Sequence, residues 1–227
     1  CKSASVYAAN LCRLVEEGEV DEHLIDECCL RILELKNKLG LFENPYKDAD
    51  AEKEKAYNLC PEHRALAKKA AEESFVLLKN DGDLLPLAAG ASVAVIGDFA
   101  ETPRYQGAGS SAVNSIKVDT FLDCLKDSGL HSVGFAPGFD RQGRPDDARK
   151  AEAVALARKA DTVLLFLGLD EIKESEGLDR ADMKLADNQI ELLQAVQQTN
   201  PNTVVIVSAG ASLETPWLAH CRALVYG

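Results

Sequence analysis

The sequence predicts an α/β fold, a mainly parallel β-sheet covered by helices on both faces, preceded by a separate helical segment. Three observations predict it. Short, wholly apolar runs such as Thr162-Val163-Leu164-Leu165-Phe166-Leu167-Gly168 recur between stretches with a 3.6-residue apolar period. Strands buried on both faces alternate with their crossover helices in this way. The first forty residues carry helical spacing alone, and the charged stretch Lys47 to Lys55, almost free of large apolar residues, sets them apart from the rest.

From Ser5 to about Gly40 the helical pattern comes in two pieces split at Gly18. Leu11, Leu14 and Val15 mark the first; Leu24, Ile25, Cys28, Cys29, Ile32, Leu35 and Leu39 mark the second. Asp21 suits an N-cap and Gly40 a C-terminal stop. Leu41 to Tyr46 ends regular structure, and residues 47–60 read as an interdomain linker. The resulting division is 1–46, a 47–60 linker and 61–227. Pro61 suits a first helical turn, which continues to about Phe75. A strand at Ser92-Val93-Ala94-Val95-Ile96-Gly97 follows, then a helix over Val118 to Lys126 and a weaker strand at His131 to Ala136. An alanine-rich helix from Asp146 to Ala160 precedes the strand at Thr162. A helix over Asn188 to Gln198, a strand at Thr203 to Ser208, a short helix around Trp217 and a strand at Ala223 to Tyr226 complete the pattern. A last strand with no helix after it leaves a sheet face bare, so truncation is expected there.

Composition excludes several roles. The 46% apolar and 27% charged residues are those of an ordinary folded domain. No apolar run nears the ~20 residues that span a bilayer, so no membrane role is expected. Lys plus Arg number 25 against 37 Asp plus Glu, a net charge of -12. Such a surface repels phosphate backbones, so nucleic acid is not an expected partner. The seven cysteines, Cys1, Cys12, Cys28, Cys29, Cys60, Cys124 and Cys221, form no C-x-x-C pair, and none of the four histidines stands near a cysteine pair. This spacing does not support a zinc site. Reduced, mostly buried thiols are the reading, which favours a cytoplasmic location.

Chemistry is expected in the loops at the carboxyl ends of the strands, where open parallel sheets bind ligands. The connection from Asp98 to Asn114 is far longer than the ~2 to 6 residues usual there. Its Gly107 and Gly109 do not complete a dinucleotide fingerprint, because Ala112 stands at the third glycine position. Arg104, Tyr105 and Gln106 offer instead the donors and flat ring of a sugar site. The loop after Gly168 carries Asp170, Glu171, Lys173, Glu174, Glu176, Asp179, Arg180 and Asp182. A solvated acidic loop is the plain alternative. Both loops leave the same sheet edge and can meet over one pocket. Crowded carboxylates there would raise one another's pKa, as a general acid requires.

Three stretches, in order, resemble family 3 glycoside hydrolases, chiefly β-glucosidases. They are Arg31-Ile32-Leu33-Glu34-Leu35-Lys36 with Leu39 to Tyr46; Ser74-Phe75-Val76-Leu77-Leu78-Lys79-Asn80 with Leu84-Leu85-Pro86-Leu87; and Glu174-Ser175-Glu176-Gly177-Leu178-Asp179-Arg180. Val95-Ile96-Gly97, Gln106 to Ser111 and Glu214-Thr215-Pro216-Trp217 fit as well. The resemblance implies that residues 1–46 close a (β/α)8-type barrel and that 61–227 form most of an α/β sandwich domain. It implies an exo-acting, retaining β-glucosidase, with a barrel aspartate as nucleophile and a sandwich-domain glutamate as acid/base, the carboxyls ~5 to 5.5 Å apart. Two carboxyls suffice for that reaction, so it calls for neither a metal nor an organic cofactor. Glu176 matches the acid/base and Glu174 is the reserve. Asp179 and Arg180 match the motif and are expected to brace the loop as an ion pair. No Ser-Asp-Trp-like segment occurs, so the nucleophile is expected outside this chain and the chain alone is expected to be inactive. The implied partner is a β-glucoside or oligosaccharide; a homo-oligomer is left open. A β-xylosidase or another family 3 activity is the near alternative, and a non-catalytic sugar-binding module the distant one.

Overall fold

The computed structural model describes residues 4–227. Its first helices, α1 (Ser5–Glu16) and α2 (Glu22–Lys38), are separated at Gly18, as the spacing predicts. Asp21 caps α2 by accepting the His23 backbone N–H at 2.9 Å. Gly40, at φ +68, takes the left-handed turn that ends it. The stretch read as a linker is not without structure: Asp50 accepts the backbone N–H groups of Glu52 and Lys53 and starts α3 (Ala51–Tyr57). Helix α4 (Pro61–Ser74) follows, and the chain's two compact units divide inside it, between Leu66 and Ala67.

The second unit holds one six-stranded sheet. Its strands are β1 (Val76–Asn80), β2 (Ser92–Ile96), β3 (His131–Ala136), β4 (Thr162–Gly168), β5 (Thr203–Ser208) and β6 (Ala223–Tyr226). They hydrogen-bond in the order β1-β6-β5-β4-β2-β3. Strands β2 to β6 are mutually parallel and β1 pairs antiparallel with β6. Five of the six were expected from their apolar runs. Strand β1 was read only as part of a motif.

Helices α5 (Phe121–Leu125), α6 (Asp147–Ala157) and α7 (Asp187–Thr199) cover the sheet. Successive residues of a strand point to opposite faces. Ile96 pairs with Leu165 and shares its face; a Cβ built on nearby Gly138 would lie within 3.0 Å of Ile96, 2.7 Å of Leu192 in α7 and 3.6 Å of Ala153 in α6. That face therefore belongs to α6 and α7. Phe166 points the other way, and Phe121 of α5 meets it with ring centroids 4.6 Å apart. Both faces are covered, as predicted, although α5 is shorter than the expected Val118 to Lys126 because Thr120 caps it by accepting the Asp123 N–H. Val93, Val95, Ile96, Leu165, Leu167 and Val205 are fully buried.

The cysteines differ from expectation. Cys12, Cys28, Cys29 and Cys124 are exposed, Cys60 is half-buried and only Cys221 is buried; Cys1 lies outside the described residues. The helical spacing of Cys28 and Cys29 marks the apolar side of α2, but that side is open: Leu24, Ile32 and Leu35 each keep more than half their surface.

Candidate active site

The order of the parallel strands fixes where a site can form. From the adjacent pair β2 and β4 the sheet grows outward in opposite directions, to β3 on one side and to β5 and β6 on the other. A crevice opens beyond the carboxyl ends at such a reversal. The two loops that the sequence singles out leave β2 and β4 at that point. Two glycines let the backbones converge there. A Cβ at Gly97 would sit 2.1 Å from the Phe166 carbonyl oxygen, and one at Gly168 2.4 Å from that of Ser208.

The loops do meet. Ala108 and Ser175 form an isolated parallel bridge, and the Glu176 N–H donates to the Ala108 carbonyl at 3.3 Å. Around the bridge lies an open depression of about 340 Å³, whose walls include Arg104, Lys173, Glu174, Glu176, Arg180 and Gly210. Three loops contribute, since Gly210 follows β5.

The two glutamates occupy different environments. Glu174 keeps 11% of its side-chain surface, and Arg104 keeps 9%. An Arg104 guanidinium N–H donates to Glu174 Oε2, another donates to the Glu174 carbonyl at 3.0 Å, and the Gly210 N–H reaches Oε2 at 3.1 Å. Burial pushes the Glu174 carboxyl up, but the Arg104 and Gly210 donors and the charges of Arg104 and Arg180 together hold it below its ordinary value. Glu176 is exposed. Its Oε2 accepts both the Ser110 hydroxyl and the Ser110 N–H, the latter at 2.9 Å, and these two bonds hold its carboxyl below the ordinary value. The expectation that crowded carboxylates raise one another's pKa is therefore not met. Each glutamate faces hydrogen-bond donors from another loop, not a second carboxylate.

The remaining predicted residues sit around this centre. Arg104 joins it directly. Tyr105 and Gln106 instead spend their hydrogen bonds inside their own loop: Tyr105 Oη donates to Ser115 Oγ at 2.8 Å, and the Gln106 amide brackets the backbone of Val113 at 3.0 and 3.1 Å. Arg180 donates to the Ser212 carbonyl at 3.2 Å, while its Nε and one Nη are buried without a partner among the described residues. No Asp179–Arg180 ion pair forms among the described residues; Asp179 is exposed, and Arg180 braces the loop through the β5 loop instead.

Three supporting residues carried no sequence signal strong enough to single them out. Ser110 was seen only as part of a glycine-rich run. Arg141, after β3, ties both loop roots together: it pairs with Asp98 at 2.6 Å and Glu171 at 3.1 Å, donates to the Thr102 carbonyl, and lies 4.4 Å from the Phe99 ring centroid. Tyr226 of β6 donates to the Ala211 carbonyl at 2.6 Å; burial, then the nearby Glu174 charge, push its phenol up.

Residues 75–227 match the family model described as the glycosyl hydrolase family 3 C-terminal domain. The chain is 39% identical to an exo-α-(1→6)-L-arabinopyranosidase of Bifidobacterium breve, over 93% of this chain and 28% of that protein. It is 34% identical to the thermostable β-glucosidase B of Acetivibrio thermocellus, over 93% of this chain and 27% of the relative. The solved structure of a Bifidobacterium adolescentis GH3 β-glucosidase superposes with a TM-score of 0.83 at 39% identity, covering 97% of this chain and 32% of the other. The chain thus spans about a third or less of each protein it matches. The family model matches 75–227, the larger part of the chain, and the solved β-glucosidase superposes at 39% identity, so the chain belongs to glycoside hydrolase family 3.

Proposed function

We infer that this chain is part of a retaining, exo-acting β-glucosidase that removes terminal β-D-glucosyl residues, with Glu176 as its acid/base and the aspartate nucleophile outside the chain. The observation that carries the assignment is the contrast between the two glutamates. Glu174 is nearly covered and tied to Arg104 and Gly210, so it links three loops. Glu176 stands exposed at the open depression; Oε2 is held by Ser110, and Oε1 takes no hydrogen bond among the described residues. A general acid must bring its proton-bearing oxygen within hydrogen-bond reach of the leaving group, and Oε1 is the oxygen left open to do so. In the first step the protonated form of Glu176 would give its proton to the glycosidic oxygen as the C–O bond breaks, the Ser110 donors favouring release of that proton over its retention; in the second the carboxylate would take a proton from the attacking water.

The test is Glu176→Ala in the complete protein that carries this segment. Turnover of an aryl β-glucoside with a poor leaving group should fall by about 10²-fold or more. A leaving group that departs without protonation, or added azide to take the place of the activated water, should restore much of the rate. Unchanged turnover sinks the assignment, and the same loss at Glu174→Ala with azide rescue moves it to Glu174. The 39% identity to an L-arabinopyranosidase supports a second reading, in which the same carboxylate serves a pentopyranosidase, β-xylosidase included. Comparing kcat/KM on aryl β-glucoside, β-xyloside and α-L-arabinopyranoside decides between them.

A further inference from the structure

Three consecutive residues of the β2 loop close on Glu176. The Ala108 carbonyl accepts its N–H, and Ser110 donates both N–H and O–H to Oε2. Between them Gly109 has φ +93, and a Cβ built there would lie 2.8 Å from Glu176 Cβ and 3.1 Å from Oε2. Only glycine fits that conformation and that gap. Ser111 Oγ donates to the Gly107 carbonyl at 2.8 Å and closes the turn. The loop thus meets Glu176 through backbone, hydroxyl and a glycine-sized gap at once.

We propose that Gly109-Ser110 is a positioning element for the acid/base: Gly109 supplies the room, and Ser110 holds Oε2 so that Oε1 alone exchanges protons with the substrate. This rests on the assignment of Glu176. Charge builds on the carboxylate as its proton passes to the leaving oxygen, and the two Ser110 donors meet that charge without rearranging. The other charged groups at the depression are engaged elsewhere: Arg104 with Glu174, Lys173 with Asp182 at 3.7 Å, and Arg180 with the Ser212 carbonyl. The hold on the Glu176 carboxyl comes from Ser110, side chain first and backbone second.

The experiment compares Ser110→Ala, Ser110→Thr and Gly109→Ala with Glu176→Ala in the complete protein. The protonated acid is needed for the first step, so the alkaline limb of kcat/KM reports its pKa in the free enzyme. Losing the Ser110 hydroxyl removes a bond to the ionised form, so the limb should move to higher pH in Ser110→Ala. In Ser110→Thr, which keeps a hydroxyl, it should stay. Gly109→Ala should slow substrates with poor leaving groups at least about 10-fold more than those with good ones, the pattern of a displaced acid. Glu176→Ala that retains turnover overturns the assignment itself. Loss of turnover with azide rescue in Glu176→Ala, together with an unmoved limb in Ser110→Ala and equal slowing of all substrates in Gly109→Ala, overturns the positioning role alone.

Discussion

Arg104 and Glu174 keep about a tenth of their side-chain surface each and lie seventy residues apart in sequence. Removing one partner strands the other's charge where water reaches it poorly. Arg104→Ala should therefore lower the stability of the sheet unit by about 2 to 3 kcal/mol, a little under the cost of breaking a fully buried pair; urea unfolding measures it. The same pair predicts an acid response. The folded-state carboxyl of Glu174 is held below its unfolded value, so its contribution is fully present above the unfolded pKa and is lost as pH falls through the folded one. Stability should drop below the ordinary glutamate value of about 4.3, and Glu174→Gln should flatten that part of the curve. An unchanged slope would assign the acid response to other carboxylates. The sequence marks Glu174, Glu176 and Arg104 as candidates because loop length and charge density are visible in one dimension. What each carboxylate touches is not, since Ser110 and Gly210 reach these glutamates from other loops 66 and 36 residues away. Nothing in one dimension therefore points to Ser110 or Arg141, or to the downward direction of the two carboxyl shifts.

Strands β4, β5 and β6 begin and end where the apolar runs do. Burial on both faces keeps the interiors of these strands apolar, with Thr162, Thr203 and Ser208 only at their ends. Strand β1 gives no separate signal because only Phe75 stands between α4 and Val76-Leu77-Leu78, and its antiparallel partner is β6, far along the chain. Helix α3 was hidden by its charge, for a short exposed helix held by an Asp50 cap has no apolar stripe to read. Gln189 ties a helix to the sheet through its side-chain amide. Only 2% exposed, its amide donates to the Gly168 carbonyl at 2.9 Å and accepts the Gly168 N–H at 3.0 Å, which ties α7 to the end of β4. Gln189→Leu keeps the volume but leaves both backbone groups unpaired. The expected loss is about 2 to 4 kcal/mol, with hydrogen exchange fastest at Gly168; a loss under about 0.5 kcal/mol would mean that water replaces the amide.

The molecule as a whole divides its hydrophobic residues unevenly. Every buried hydrophobic residue among those described lies between Val93 and Leu224, whereas no residue of α1 or α2 is buried: Leu11, Leu14, Val15 and Ile25 are half-buried, and Leu24, Ile32 and Leu35 are exposed. Family membership and a single candidate acid/base site lead to a plain expectation. The 227-residue chain should release no phenol from an aryl β-glucoside under conditions where the complete protein turns over; turnover by the chain would refute the division of the two carboxyls between this segment and the remainder. Strand β1 carries a further consequence, for the order of events during synthesis. It leaves the ribosome roughly 150 residues ahead of β6, its one partner strand among the described residues. Until β6 emerges, Val76, Leu77 and Leu78 have no ladder to join, while β2 to β5 can already assemble. Over the roughly 150 residues between the two strands, the nascent chain therefore carries an apolar, strand-forming segment without its partner, an interval in which a chaperone can shield it.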